Sequence, residues 1–346
     1  QSNNMNKQPR VFIFSNNALS KENANGKTLV HLLHSFDPEN IAQFYIRPEI
    51  PQDHLAARYF RITDKEKLNA FFHPKKELGK EINLFIDKEY SSKHEKRLFS
   101  KKKWIETGWA RWQREKIWQK RGNLTGFHQF FVSFKPDVIL LYASRSAFMI
   151  RLATDFSLQY GIPLILFTGE SEYFHKVPWY QLFARKCLKN LQKSYQYATS
   201  VASKMVLTHE KLTNLFKKEF PIPAQTIWQS SEAASISETN PANASIKFLY
   251  AGNLSPTLRR HESLMEIADT LGKINPSYSL DIFPTNTTPK ILALLKAHPN
   301  MVIHEPVSSD ELANIMASAQ IVFHTESFSK KLKPLIEYGF SSKIPD

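Results

Sequence analysis

The sequence predicts an α/β protein built from two doubly wound domains. Three observations carry that expectation. Short apolar runs of strand length alternate with amphipathic helical segments along most of the chain. No apolar run approaches the roughly 18 residues needed to cross a bilayer. One small, polar stretch, residues 229–245, has no apolar periodicity and divides the alternation in two.

The elements follow in order. Residues 1–9 are polar, and those before Met5 read as a tag scar outside the fold. Arg10 to Ser15 (RVFIFS) is a buried strand. A polar loop, Asn16 to Lys27, leads to a helix starting near Thr28, with Leu29, Leu32, Leu33 and Phe36 on one face. Ile41 to Ile46 is the second strand, and this order opens a doubly wound sheet. Residues 50–90 are mixed, and 93–121 form a basic, Trp-rich segment expected to be helical. Helix Asn123–Phe134 stops at Pro136-Asp137, and Val138–Tyr142 is a parallel-type strand. Helix Ala147–Tyr160, strand Pro163–Phe167, helix Trp179–Tyr197 and strand Ser200–Leu207 continue the pattern. Thr208 is the expected cap of a helix ending near Phe220. Strand Thr226–Trp228 closes the first domain, 10–228.

After the 229–245 linker, the second domain spans 246–346. Strand Ile246–Asn253, helix Arg260–Ile274 and strand Ser279–Phe283 open it. Helix Pro289–Ala297, strand Met301–His304, helix Ser309–Ala317 and strand Ile321–His324 follow. A cleft is expected between the two domains.

Composition narrows the class. At 42% hydrophobic and 23% charged residues, the 346-residue chain is neither disordered nor fibrous. One cysteine, Cys187, can form neither an internal disulfide nor a cysteine-based zinc cage, which points to a cytoplasmic protein. The net charge is +14, and it is uneven. Residues 1–130 carry 24 Lys/Arg against 14 Asp/Glu; the rest carry 22 against 18. That asymmetry implies a polyanionic partner.

Several segments in the second half carry a family resemblance. Tyr250-Ala251-Gly252-Asn253-Leu254-Ser255 precedes Arg259-Arg260-His261 and a helix. His304-Glu305-Pro306-Val307 leads into Ser308-Ser309-Asp310-Glu311-Leu312. Ala319 to Phe328 (AQIVFHTESF) is a strand followed by an acid, and Phe340 to Asp346 reads FSSKIPD. Together these resemble the C-terminal domain of family 4 glycosyltransferases of the capsule and exopolysaccharide type. The resemblance implies a GT-B fold, with two Rossmann-like domains. It departs from the family in three places. Glu326 and Asp346 are further apart than the family's Glu-x7-Glu acids. The turn closing the first half reads Trp228-Gln229-Ser230-Ser231-Glu232. The chain ends at Asp346, before the family's last elements, so the second domain is expected to be incomplete.

The resemblance implies roles for particular residues. A leaving nucleoside diphosphate needs cationic groups and helix N-termini. Arg259 or Arg260 would supply a guanidinium, or else is a solvated helix-start arginine. Gly252 and Asn253 end the strand before them. Glu326 would hydrogen-bond donor-sugar hydroxyls from a strand's carboxyl end, or is a solvated loop acid. Asp346 would take the donor ribose hydroxyls. Gly26 would let the first loop approach the phosphates closely, or simply makes a turn. Glu170, in Thr168-Gly169-Glu170-Ser171-Glu172, would face a sugar, or has no role; His175 and His209 are weaker candidates. No metal and no cofactor are expected beyond a UDP- or GDP-sugar substrate.

Residues 93–121 hold eleven Lys/Arg, three acids and Trp104, Trp109, Trp112 and Trp118. Aromatics beside cations suit an anionic membrane surface, where a polyprenyl-linked acceptor would lie. Buried tryptophans with solvated charges are the plainer alternative, and no nucleic-acid module is recognised. The expected function is hexose transfer from a nucleotide sugar to a glycan or lipid-linked acceptor in bacterial surface polysaccharide synthesis. Retention of configuration is implied by the resemblance, and the site would be the cytoplasm, peripheral at the membrane's inner face. The alternatives are a GT-B-like binding subunit supporting a partner transferase and, further off, a nucleotide-sugar epimerase.

Overall fold

The computed structural model describes residues 8–20, 24–52, 54–73, 75–84, 108–120, 122–227, 246–330 and 332–336. Residues 1–7, most of the basic segment (93–107 and 121), the 229–245 stretch and Asp346 lie outside the described residues. The chain divides into two compact units, Gln1–Gln229 and Ser230–Asp346.

The first unit is an eight-stranded sheet. Its strands are β1 (Val11–Phe14), β2 (Ile41–Tyr45), β3 (Arg58–Arg61), β4 (Lys80–Glu81), β5 (Val138–Tyr142), β6 (Leu164–Thr168), β7 (Lys204–Leu207) and β8 (Ala224–Thr226). They lie in the order β4-β3-β2-β1-β5-β6-β7-β8. All neighbours are parallel except β3 and β4.

β1 sits at the centre and is buried on both faces, which explains its unbroken apolar run. Phe12 and Phe14 point to one face; Val11 and Ile13 join the other with Leu29 and Leu33. The Phe face is covered by the helix Thr125–Phe134, whose Phe127, Phe130, Phe131 and Phe134 are all buried. Phe12 meets Phe131 edge-on at 4.6 Å, and Phe44 lies 4.4 Å from Phe127. The helix ends at Lys135, in the left-handed region, just before Pro136. The next helix, Ala147–Tyr160, ends on Gly161 at φ 66°, where a Cβ would be strained.

Three expectations need correction. The first helix spans Ala24–Leu32, so Gly26 is a buried residue of its first turn and not part of a loop. Gly26 stands three residues before the buried Leu29, on the same inward side of the helix. The helix Glu210–Glu219 is capped by His209, not Thr208: the His209 ring accepts from the Leu212 N–H at 3.3 Å. Residues 50–90 contain β3, β4 and the helix Asp64–Phe72, which opens on a capping box of Thr63 and Glu66.

The basic segment is helical over Gly108–Gln119. It crosses the helix Leu182–Thr199, and a Cβ on Gly108 would stand 2.9 Å from the Ala184 nitrogen. Glycine therefore sets how closely the two helices approach. Trp118 is buried against Phe148 at 4.4 Å and donates its indole N–H to Asp64 at 2.7 Å. Trp112 is half-buried on Phe183, and Trp109 is exposed. Burial in the first unit thus holds for Trp118, and Trp104 lies outside the described residues.

The second unit holds β9 (Phe248–Asn253), β10 (Leu280–Thr285), β11 (Met301–Ile303) and β12 (Ile321–Phe323), all parallel, in the order β11-β10-β9-β12. The helix Arg260–Ile274 buries Leu264, Ala268 and Leu271 against them. Thr288 and Ser308 cap the two following helices through their hydroxyls. Strand order reverses direction between β1 and β5 in one unit and between β9 and β12 in the other. In open α/β sheets the carboxyl end of such a switch point is where ligands bind.

Candidate functional site

The second unit's switch point gathers four of the residues singled out from the sequence: Gly252, Asn253, Arg260 and Glu326. β9 ends on Gly252 and Asn253, β12 leads to Glu326, and Arg260 opens the helix after β9. Arg260 forks onto the Glu326 carboxylate, with Nε donating to Oε2 at 2.9 Å and Nη2 donating to Oε1. Its Nη1 also donates to the Asn253 carbonyl at 3.4 Å. The guanidinium thus ties together the ends of the two strands flanking the switch point.

The surroundings hold this arrangement. The Ser263 hydroxyl donates to the Glu326 carbonyl at 2.9 Å. The Asn253 side-chain oxygen accepts from the Ser255 N–H at 2.8 Å and from Asn286 at 3.3 Å. Burial pushes the Glu326 carboxyl up, but His324, 3.6 Å away, and Arg260 outweigh it and hold it below the usual carboxylate range. Burial likewise pulls on Arg260, and its carboxylate partner leaves it above its ordinary value. The pair is charged, bidentate and partly shielded from water.

Arg259 behaves differently. It is the helix N-cap residue at φ 50°, and its guanidinium is exposed in an ion pair with Glu262 at 2.7 Å. Of the two adjacent arginines, only Arg260 faces the switch point. Gly252 lies within β9, paired with Pro284, and the turn begins after Leu254. His324, Ser263 and Asn286 were not foreseen. His324 was legible, since it stands directly before Thr325-Glu326 at the end of a predicted strand.

In the first unit, Glu170 and Glu172 follow β6. Their carboxyls lie close enough for their charges to interact, and Arg145 Nε donates to Glu172 Oε1. Burial and the Glu172 charge push the Glu170 carboxyl up to about 8. Burial pushes Glu172 up as well, but Arg145 overrides it and holds the carboxyl low. One acid therefore carries the proton and the other the charge. One oxygen of each, Oε2, is buried with no hydrogen-bond partner among the described residues. His175 meets the Ser171 hydroxyl at 3.3 Å, and burial lowers its pKa. His209 is buried in its capping role, and Cys187 is buried against the Gly108 carbonyl at 3.7 Å.

A second group joins the ends of β1 and β5. The Asn16 amide donates to Ser144 at 2.6 Å and to Ser146 at 3.0 Å. Arg114 donates to Ser146 at 3.3 Å and grips Asp64 through Nε at 2.9 Å. Glu115, beside it, accepts from the Ala147 and Phe148 N–H groups at 2.9 and 3.1 Å. It thus caps the helix Ala147–Tyr160 from another element, and burial pushes its pKa to about 7. Among the described residues, no three His, Cys, Asp or Glu side chains group as a metal cage.

No protein-family pattern matches the sequence, and no curated protein matches it. Solved structures do share the architecture. The chain is similar to Anabaena Alr3699/HepE, a structure in complex with UDP and glucose, at 9% identity and a TM-score of 0.53, covering 96% of this chain and 78% of that one. It is also similar to an α,α-trehalose-phosphate synthase (UDP-forming) from Burkholderia xenovorans, in complex with glucose-6-phosphate, at 10% identity and a TM-score of 0.50, covering 92% and 79%. At such identity the likeness is one of fold. The chain has the GT-B fold, with two Rossmann-like units, and its neighbours in that fold are glycosyltransferases.

Proposed function

We propose that this chain is a GT-B glycosyltransferase that moves a hexose from a UDP- or GDP-sugar to a glycan or polyprenyl-linked acceptor. We place it in bacterial surface polysaccharide synthesis, acting with retention and without a metal. The observation that carries the reading is the second unit's switch point. Arg260 and Glu326 meet at the carboxyl edge of β9 and β12, beside Asn253. A guanidinium there can steady a leaving diphosphate, and a carboxylate held ionised can accept sugar hydroxyls. Both roles require the pair to exchange partners when the donor arrives. Asp346 is kept in the proposal as the ribose acceptor, and Gly252 as the strand-end residue that lets the donor approach.

The first unit would take the acceptor. The protonated Glu170 beside ionised Glu172 offers a donor and an acceptor to sugar hydroxyls. Membrane attachment has support outside the basic segment. Trp179, Tyr180 and Leu182 are 77%, 65% and 62% exposed, next to Arg185, Lys186 and Lys189. Exposed aromatics flanked by cations suit the headgroup layer of an anionic bilayer. No described helix is long and apolar enough to cross a membrane.

A second reading has one observation in its favour. Arg260 and Glu326 already satisfy each other, as they would in a GT-B-like subunit that binds a partner transferase and does no chemistry. Calorimetric titration with UDP, GDP and their sugars decides between the two. The transferase reading expects one nucleotide to bind and Arg260→Ala to abolish binding. Failure of every nucleotide to bind moves the function to the subunit reading.

A further inference from the structure

We infer that the first unit's switch point, between β1 and β5, binds an anionic group of the acceptor, a phosphate or a carboxylate, between Arg47 and Arg114. The word acceptor rests on the transferase reading; the anion site does not.

The site is assembled from four elements. The Asn16 carbonyl, just past β1, accepts the Ile46 and Arg47 N–H groups at 3.2 and 3.0 Å, which brings the end of β2 alongside. The Asn16 amide reaches Ser144 and Ser146 after β5, and Ser146 in turn takes a bond from Arg114. Arg111 stands one turn earlier on the Arg114 helix, close enough to Glu170 for their charges to interact. Three guanidinium groups are thus carried to one edge of one sheet.

Their hydrogen-bonding capacity is not used up. The side chains of Arg47 and Arg111 make no hydrogen bond among the described residues. Arg114 uses Nε on Asp64 and Nη1 on Ser146, which leaves Nη2 buried and unpaired. The Asn16 side-chain oxygen is buried and unpaired as well. Buried polar atoms without partners are uncommon in folded proteins and need a reason. Here the unpaired donors belong to cations, and two of those cations repel. Burial, and then the Arg114 charge, pull the Arg47 guanidinium below its ordinary value, against the attraction of Asp64 and Glu49. Those acids do not answer the need. Asp64 is held by Arg114 and Trp118, and Glu49 is turned to the Ala18 N–H at 2.8 Å. Nor is the nearby helix N-terminus open, since Glu115 occupies it. An oxyanion between Arg47 and Arg114 would accept from both guanidinium groups and cancel their repulsion. The unpaired Asn16 oxygen would accept a hydroxyl from the sugar that carries the anion.

The test is calorimetric and thermal titration of the full chain with inorganic phosphate, glucuronate and neutral glucose. The comparison variants are Arg47→Gln and, in the other unit, Arg260→Gln. Phosphate or glucuronate should bind and raise the melting temperature, while glucose should do neither. Arg47→Gln should weaken that binding by about tenfold or more, the scale of one charge-assisted bond. Without anion, Arg47→Gln should melt no lower than the parent, because the Arg47 side chain makes no hydrogen bond among the described residues and is repelled by Arg114. Phosphate preference over glucuronate names a phosphorylated acceptor, and the reverse names a uronic acid. Anion binding equal in Arg47→Gln and the parent overturns the proposal, as does anion binding lost only in Arg260→Gln. Anion binding that persists when every nucleotide fails to bind supports this site and refutes the transferase reading alone.

Discussion

Breaking the Arg260–Glu326 pair should have a cost that can be sized from its setting. The side chains are 17% and 32% exposed, so the pair lies between two regimes. Exposed ion pairs contribute about 0–1 kcal/mol, and removing one partner of a buried pair costs about 3–5 kcal/mol. Glu326→Ala, which leaves the guanidinium facing its former partner's space, should destabilise the second unit by about 2 kcal/mol. A double-mutant cycle with Arg260→Gln and Glu326→Gln should return a coupling of about 1–2 kcal/mol. The assay exploits an accident of composition. All six tryptophans lie between Trp104 and Trp228, in the first unit. Tryptophan emission therefore follows that unit alone, while far-ultraviolet circular dichroism follows both. The loss should appear in the dichroism transition and not in the emission. It should also depend on pH with a definite sign. The folded carboxyl titrates below its unfolded value of 4.5, so its stabilisation is complete above that value and fades as pH falls through the lower folded pKa. A coupling below about 0.3 kcal/mol, within the scatter of independent sites, would refute the pair as a structural tie.

Glu170 should produce the opposite slope in the first unit. Its folded pKa is raised to about 8, so the folded state holds an extra proton between 4.5 and 8. Stability by tryptophan emission should fall as pH rises through that window, and Glu170→Gln should reduce the fall, leaving the part that Glu115, raised to about 7, contributes. The Glu172 shift lies below 4.5 and does not overlap it. Glu115→Ala removes the buried acceptor of two helix N-terminal N–H groups and should cost the first unit about 1–3 kcal/mol in urea denaturation, with Glu115→Gln recovering part. Trp179→Ala with Leu182→Ala should reduce co-sedimentation with vesicles containing phosphatidylserine, leaving nucleotide binding unchanged. Equal sedimentation by variant and parent would remove the aromatic patch from the membrane reading.

What was readable in the sequence follows from what each signal depends on. Helices Ala147–Tyr160 and Arg260–Ile274 were read to the residue because their apolar faces coincide with clear stops, Gly161 in one case. β1 and β5 were read because central parallel strands are apolar throughout. β3 and β4 were not, since Arg58, Arg61, Lys80 and Glu81 carry charge at a sheet edge. His209 displaced Thr208 as a cap because a ring nitrogen can do a hydroxyl's work, which residue preference underrates. At the sites, Arg260 and Glu326 were legible as strand-end and helix-start residues. Their meeting was not, because it spans 66 positions and depends on β9 lying beside β12. Arg47, Arg114 and Asn16 were hidden for the same reason. Each is unremarked locally and gains meaning only when β1 and β5 become neighbours.

The central position of β1 has a consequence for how the chain acquires its structure. β1 leaves the ribosome before either of its neighbours, β2 on one side and β5 on the other. The bond that seals its far side joins Arg10 to Asp137, 127 positions later. At about 5–20 residues per second, β5 is synthesised roughly 6–25 s after β1. Through that interval four consecutive apolar residues present an unpaired backbone edge. The heart of the sheet is laid down first and closed late, so the nascent chain, more than the finished protein, is where this fold is exposed to aggregation and has most use for a chaperone.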